Sequence, residues 1–173
     1  MSQFSPATFD YTVYETVMPG RYAHQSKGLL SGESAADRQI VEESLRLTGT
    51  LDLREHLVTR LSGGQLQRVF LARTFAQEPQ VILLDEPTNH LDLRYQVELI
   101  ESLKTWSVAG GHCIVGVFHD MNLALSFADT LLLLNHGQVE SYSSLDNFDL
   151  SLLDKLYNMN VRSYMVSSLQ RWV

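Results

Sequence analysis

The run Val81-Ile82-Leu83-Leu84, closed by Asp85-Glu86-Pro87, constrains the fold more than any other stretch of the chain. Consecutive apolar residues without alternation mark a strand covered on both faces, as in a parallel sheet flanked by helices. Pro87 has no amide hydrogen to give a ladder, so the strand stops there and leaves two carboxylates at its C-terminal end. In α/β sheets that end opens on the crevice where ligands bind. An acidic pair ahead of a proline turn is also an ordinary way to end a strand, so the pair alone leaves both readings open.

Around this strand the periodicities alternate. Upstream, Tyr11–Met18 reads as a short helix with Val13, Val17 and Met18 on one side. Ser34-Ala35-Ala36-Asp37 resembles a capping box with Asp in place of Glu, and Ile40, Val41, Leu45 and Leu47 follow at helical spacing until Gly49. Asp52 is placed to cap a short helix through His56. A further helix over Gln65–Gln77 is expected to bury Leu66, Val69, Phe70 and Phe75 and to end before Pro79. Downstream, Leu93–Trp106 reads as a helix with Leu99, Ile100, Leu103 and Trp106 inward, and His112–Phe118 as a second buried strand. Asp120 caps a helix through Ala128, and Leu131–Leu134 is a third strand. The His136-Gly137 turn leads into Gln138-Val139-Glu140, an antiparallel hairpin at the edge of the sheet. A short helix around Leu150, Leu152, Leu153, Leu156 and Tyr157 and an extended tail close the chain. Strand, helix, strand, helix, strand in this order implies an α/β sandwich behind a helical lobe.

Composition excludes several classes. A net charge of −7, with Arg54, Arg60, Arg68, Arg73 and Arg94 scattered among acids, supplies no basic face for a nucleic-acid backbone. The single cysteine, Cys113, rules out an internal disulfide framework and reads as a small buried hydrophobe. No apolar run reaches the ~18–20 residues of a membrane span, so any role at a membrane comes through a partner.

Two further groups carry chemistry. Leu61-Ser62-Gly63-Gly64-Gln65-Leu66-Gln67-Arg68 runs straight into a helix. Its glycines permit a close backbone approach, and a helix start offers unpaired amides and the positive dipole end to a phosphate. A bare Ser-Gly-Gly triplet is more often a flexible loop. His119-Asp120 ends the second strand, where a lone histidine is commonly a satisfied turn residue and can also contact a γ-phosphate. Asp85 suits Mg²⁺, through water, and Glu86 suits polarising an attacking water.

Taken together, Leu61-Ser62-Gly63-Gly64-Gln65, the strand into Asp85-Glu86-Pro87, Thr88-Asn89-His90-Leu91-Asp92 and His119-Asp120 resemble the ATP-binding-cassette (ABC) family. They match its signature motif, Walker B, D-loop and H-loop in order and spacing. Gln3 fits its Q-loop glutamine, and the resemblance runs from Gln3 to about Val161. It implies the C-terminal portion of an ABC-type P-loop NTPase: a helical subdomain plus a partial, mostly parallel sheet with flanking helices. The implied organisation is a Q-loop segment (1–14), a helical signature subdomain (15–78), the C-terminal half of a RecA-like core (79–142) and a C-terminal appendage (143–173). It also implies ATP and Mg²⁺ as cofactors, with Glu86 as general base and His119 steadying the γ-phosphate. Asp85 and Gln3 organise Mg²⁺, Ser62, Gly63, Gly64 and Gln65 meet nucleotide held by a second copy in a head-to-tail pair, and Asp92 couples the two sites. Phe9-Asp10-Tyr11-Thr12-Val13, Gly20-Arg21-Tyr22 and Leu156-Tyr157 resemble the branch that powers iron-siderophore, haem and cobalamin importers, with Met18-Pro19-Gly20 departing by its proline. The implied partners are integral membrane permease subunits, placing the protein in the cytoplasm at the inner face of the membrane. Arg21 is expected at the permease contact.

The family's Gly-x-x-x-x-Gly-Lys-Ser/Thr phosphate loop has no counterpart here, because no Gly-Lys pair occurs in the 173 residues. The expectation is therefore an N-terminally shortened subunit, inactive towards ATP by itself, with an unpaired sheet edge and an uncovered apolar face. A non-catalytic partner-binding module is the alternative. Repair and chromosome ATPases share a Ser-Gly-Gly signature but interrupt the domain with long heptad coiled coils, and no heptads occur here.

Overall fold

A computed structural model describes residues 10–24, 33–89 and 91–172. The chain divides into two compact units, Met1–His119 and Asp120–Val173. In the first, helices α1 (Val13–Val17), α2 (Ala35–Leu47) and α3 (Gly63–Phe75) form a lobe, followed by β1 (Val81–Asp85), α4 (Leu93–Gly110) and β2 (Cys113–Val117). The second holds α5 (Met121–Phe127), β3 (Thr130–Asn135), β4 (Gln138–Ser144), α6 (Ser151–Tyr157) and α7 (Val161–Leu169).

The lobe closes on one core of Val13, Val17, Met18, Val41, Leu45, Val58, Val69, Ala72 and Ala76. Helix α1 starts at a reciprocal capping box between Thr12 and Glu15, which satisfies two amides that a five-residue helix otherwise leaves unpaired. Ser34 caps α2 by accepting from the Asp37 amide. That helix ends with Gly49 at φ +63°, where Gly49 and Thr50 amides return to Arg46 and Leu45 carbonyls at 3.0 and 2.8 Å.

Three expectations in this lobe are corrected. Asp52 caps no α-helix, because Leu51–Leu53 is a 3₁₀ turn. The Arg54 and His56 carbonyls accept instead from Tyr14 and Val13, and the Val58 amide donates to Tyr11, so this backbone pairs with the start of α1. Phe70 is 36% exposed, since the buried stripe of α3 runs through Val69, Ala72 and Phe75. Arg21 offers no charge to a partner, being only 5% exposed. Its Nε donates to Asp37 Oδ1 at 3.0 Å, and its Nη1 donates to the Ala76 carbonyl at 2.8 Å and Glu78 Oε2 at 2.7 Å. The guanidinium thereby satisfies the C-cap of α3 and ties it to α2. The 3₁₀ turn Met18–Arg21 takes Pro19 in its first positions, where no amide hydrogen is needed. Gly20 lets this turn lie against α3, since a Cβ there would stand 2.6 Å from the Arg73 carbonyl oxygen.

Strands β1 and β2 pair in parallel, from Val81 opposite Cys113 to Asp85 opposite Val117, with α4 making the crossover such a pair requires. Asp92 caps α4, and Leu99, Ile100, Leu103 and Trp106 face inward as their spacing predicts. Burial of the strands on both faces is not observed: Leu83 is 77% exposed, and Val115 and Val117 55% each. Only Ile82 on β1 is buried, so the described sheet is covered on one side and bares an apolar face on the other. Cys113 is likewise exposed, at the first position of β2.

In the second unit Asp120 caps α5, accepting from the Asn122 and Leu123 amides at 2.8 and 3.3 Å. His136 and Gly137 both take positive φ, the two-residue hairpin turn whose twist matches its strands. The expected hairpin at the edge of the sheet is corrected: β3 and β4 form a two-stranded antiparallel sheet of their own, in which each strand's ladder partner is the other. The expected extended tail is helix α7, which Asn160 caps by accepting from the Ser163 amide at 2.7 Å.

The Asp37 carboxyl is held below its ordinary value of 3.8, first by the Ser34 hydroxyl and then by Arg21. A depressed carboxylate contributes stability that is complete above the ordinary value and is lost as pH falls through the folded one. Arg21→Ala is expected to lower the urea midpoint at pH 7 and to flatten the decline below about pH 4, and Asp37→Asn to flatten it likewise. Unfolding curves at stepped pH measure both. Leu45→Ala, at a fully buried site, is expected to cost about 2–5 kcal/mol in the same assay.

Candidate functional site

The site is built from two turns of the first unit. One is the start of α3. Ser62 is its N-cap, with extended backbone at φ −67°, ψ 160°. Its hydroxyl oxygen accepts from the Gln65 amide at 3.3 Å, and Gln65 Oε1 accepts from the Ser62 amide at 2.9 Å. The helix therefore begins two residues before Gln65, taking both glycines into its first turn, where intrahelical acceptors are lacking. Gly63 is exposed, and a Cβ there would meet nothing within 4 Å. Gly64 is buried, and a Cβ there would stand 2.8 Å from Cδ2 of Tyr95. The two glycines thus serve different ends: open approach at Gly63, and backbone-on-ring packing at Gly64.

The other turn follows β1. Asp85 is exposed at the last position of the strand. Glu86 has φ +48°, a left-handed conformation that costs a side chain of its size about 1–3 kcal/mol and recurs at functional sites. Three contacts hold it there. Its amide donates to the Val117 carbonyl at 3.0 Å, its Oε1 meets His119 Nε2, and its Oε2 accepts from the Asn89 side-chain amide. An ionised carboxylate only accepts, so the His119 hydrogen sits on Nε2 in this pairing. The structure thereby brings together Glu86 at the end of β1 and His119 beyond the end of β2, 33 residues apart in sequence. Both oxygens are anchored, and the carboxylate keeps lone pairs free to accept further hydrogen bonds.

Asp92 lies in the same turn region, and its Oδ1 accepts from the Tyr95 amide at 3.1 Å as the N-cap of α4. Gln3 and His90 fall outside the described residues. Sequence reading missed the clasp between the two turns, in which Gln67 Nε2 donates to the Pro87 carbonyl and the Arg68 guanidinium lies 5.3 Å from the centre of the Tyr95 ring. It also missed Asn89 as a partner of Glu86. The i, i+3 spacing of Glu86 and Asn89 was the available signal.

Among the described residues, no group of three or more His, Cys, Asp and Glu could hold a metal ion. Mg²⁺ accompanying a nucleotide takes one or two carboxylates and draws its other ligands from phosphate and water, so the exposed Asp85 carboxylate fits that chemistry. The open first turn of α3 fits a phosphate.

Comparison with known proteins shows the family and the fold. The sequence profile of the ABC transporter family matches residues 1–89. The achromobactin transport ATP-binding protein CbrD of Dickeya dadantii is 37% identical over 163 residues, covering 94% of this chain and 60% of that protein. The ferric enterobactin transport ATP-binding protein FepC of Escherichia coli is 33% identical over 160 residues, 92% of this chain and 58% of that protein. Among solved structures, an inward-facing transporter reported as of the metal-chelate type superposes with a TM-score of 0.77 at 29% identity, over 88% of this chain and 60% of that one. The chain belongs to the ABC transporter family and has its P-loop NTPase type of fold. It spans no more than about 60% of the length of these relatives.

Ala at Gly63 is expected to be neutral or stabilising by up to about 1 kcal/mol through helix propensity. Ala at Gly64 is expected to cost about 1–3 kcal/mol through overpacking against Tyr95. Chemical denaturation of the two variants decides between them, and equal effects would remove the packing role assigned to Gly64.

Proposed function

We propose that these residues form the signature and hydrolytic-base portion of an ATP-binding subunit that energises import of a metal chelate: an iron-siderophore, haem or cobalamin. The observation that carries the reading is Glu86, held at positive φ with both oxygens engaged and His119 against one of them. The substrate class follows the relatives, one named for achromobactin transport and another for ferric enterobactin transport. Among the described residues no helix is long and apolar enough to cross a membrane, so membrane-spanning partners would form the pathway. The working location is then the cytoplasmic face of a membrane.

In this reading two copies pair head to tail. Ser62, Gly63 and Gly64 of one present amides and a hydroxyl to the terminal phosphate of a nucleotide held chiefly by the other. When bound, Mg²⁺ would neutralise charge at the phosphates; Asp85 would be its protein carboxylate, and Gln3 is proposed as a further ligand on the family resemblance alone. Glu86 takes the proton of the attacking water, and Asn89 fixes the carboxylate's orientation. His119, donating from Nε2, moves that hydrogen bond from Glu86 to phosphate as the site fills, freeing Oε1. Asp92 holds the start of α4 next to the pairing surface.

The 173 residues contain no Gly-Lys pair, so the lysine and amide cradle of a phosphate loop must come from elsewhere for turnover. The apolar β face at Leu83, Val115 and Val117 favours a second reading, a module that acts only when joined to a covering lobe. Both readings expect the isolated chain to release no phosphate from Mg·ATP. A micromolar Kd by isothermal titration, or phosphate release abolished by Glu86→Gln, would overturn that. They differ once the chain is joined to a lobe bearing the phosphate loop. The catalytic reading then expects Glu86→Gln to keep ATP binding and lose roughly 10²–10⁴-fold in turnover; turnover within a few fold of the parent would show that Glu86 is not the base, and a joined chain that binds ATP without any turnover would leave only the non-catalytic module.

A further inference from the structure

We infer that Gln67 and Tyr95 are positioning residues that make the Ser62–Gly64 turn and the Glu86 turn of one chain move as a unit. Two independent contacts carry this. The Gly64 backbone rests on the Tyr95 ring so closely that an added Cβ would lie 2.8, 2.9 and 3.2 Å from three ring carbons, leaving no room for the first turn of α3 to shift without the ring. The ring is fixed in turn to the start of α4, because the Tyr95 amide donates to the Asp92 cap at 3.1 Å. Arg68 lies over that ring and pairs with Glu98 at 3.0 Å, so α3 and α4 are joined again one turn further on.

The second contact is polar. Gln67 stands three residues beyond Gly64, on the same side of α3, and its Nε2 donates to the carbonyl of buried Pro87. Pro87 follows Glu86, whose backbone is held at φ +48° and whose carboxylate binds Asn89 from the same turn. A displacement at Gly63 or Gly64 therefore reaches the Glu86 turn by two routes, directly through Gln67 to Pro87, and through Tyr95 to the start of α4, where Gln96 Nε2 donates to the Thr88 carbonyl at 3.4 Å. In the head-to-tail reading above, the two turns of one chain serve different nucleotides. The state of one site would then be passed to the base of the other within a single chain. That consequence rests on the proposed function, whereas the linkage itself does not.

The test is NMR of the ¹⁵N-labelled 173-residue chain without nucleotide. Gly64→Ala is introduced into the wild type and into a Gln67→Leu/Tyr95→Leu background. In the wild type it is expected to shift the Glu86 amide and the Asn89 side-chain amide, and to speed exchange of the Glu86 amide about fivefold, as weakening one hydrogen bond would. In the double-variant background the same substitution is expected to leave all three unchanged. Ser62→Ala, which loosens the same turn without adding volume, must show the same dependence on background. Signals at Glu86 and Asn89 that stay put in the wild type, or that move equally in both backgrounds, overturn the linkage. Failure of a lobe-completed chain to hydrolyse ATP would sink the proposed function and leave this pattern intact.

Discussion

A guanidinium taken out of water must be fully paired, and in this protein the helical lobe is closed around one. Arg21 is enclosed by Asp37 of α2, Glu78 and the carbonyl of Ala76 at the end of α3. Leaving any of these partners unmade strands a buried charge or an unpaired carbonyl, which costs far more than an exposed pair could return. The 3₁₀ turn carrying Arg21 lies against α3 at Gly20, so the direction of α3 is set from its C-terminal end. The other end of α3 is where Ser62, Gly63 and Gly64 sit. A structural requirement at one end of a 13-residue helix thus sets where its other end points.

The same helix reaches the Glu86 turn. Its buried side, through Val69 and Ala72, belongs to the lobe core, while Gly64, Gln67 and Arg68 are turned towards Tyr95, Pro87 and Glu98. Helix α3 therefore serves two packing surfaces, which explains its weak amphipathic contrast and the presence of a buried glycine in its first turn. The turn after β1 stores backbone strain at Glu86 and holds it with hydrogen bonds from Val117, Asn89 and His119. Strain and restraint together orient the carboxylate more narrowly than a relaxed loop would.

Elsewhere the chain bares apolar surface. One face of β1–β2 carries Leu83, Val115 and Val117, and one face of the β3–β4 hairpin carries Leu132, Leu134, Val139 and Tyr142, each at least half exposed. A two-stranded sheet with an open apolar face gains little by itself, and stability in this protein is concentrated in the lobe and under α4.

The sequence by itself determined whatever depends on near neighbours along the chain. The caps at Ser34 and Asp120, the inward stripe of α4, the stop at Pro87, the His136-Gly137 turn and the order of the four motifs are set by residues a few positions apart, and they were legible for that reason. What only the tertiary structure decided involves partners far apart in sequence. Arg21 reads as a surface charge until Asp37 and Ala76 are folded around it. The segment after Asp52 reads as a helix until its backbone pairs with Tyr11, Val13 and Tyr14. Cys113 and Leu83 read as buried because periodicity reports a side chain's preference and says nothing of whether another surface is there to cover it. Glu86 and His119 were each recognisable alone, but their pairing exists because β1 and β2 lie side by side in parallel, which places the ends of both strands at the same edge of the sheet.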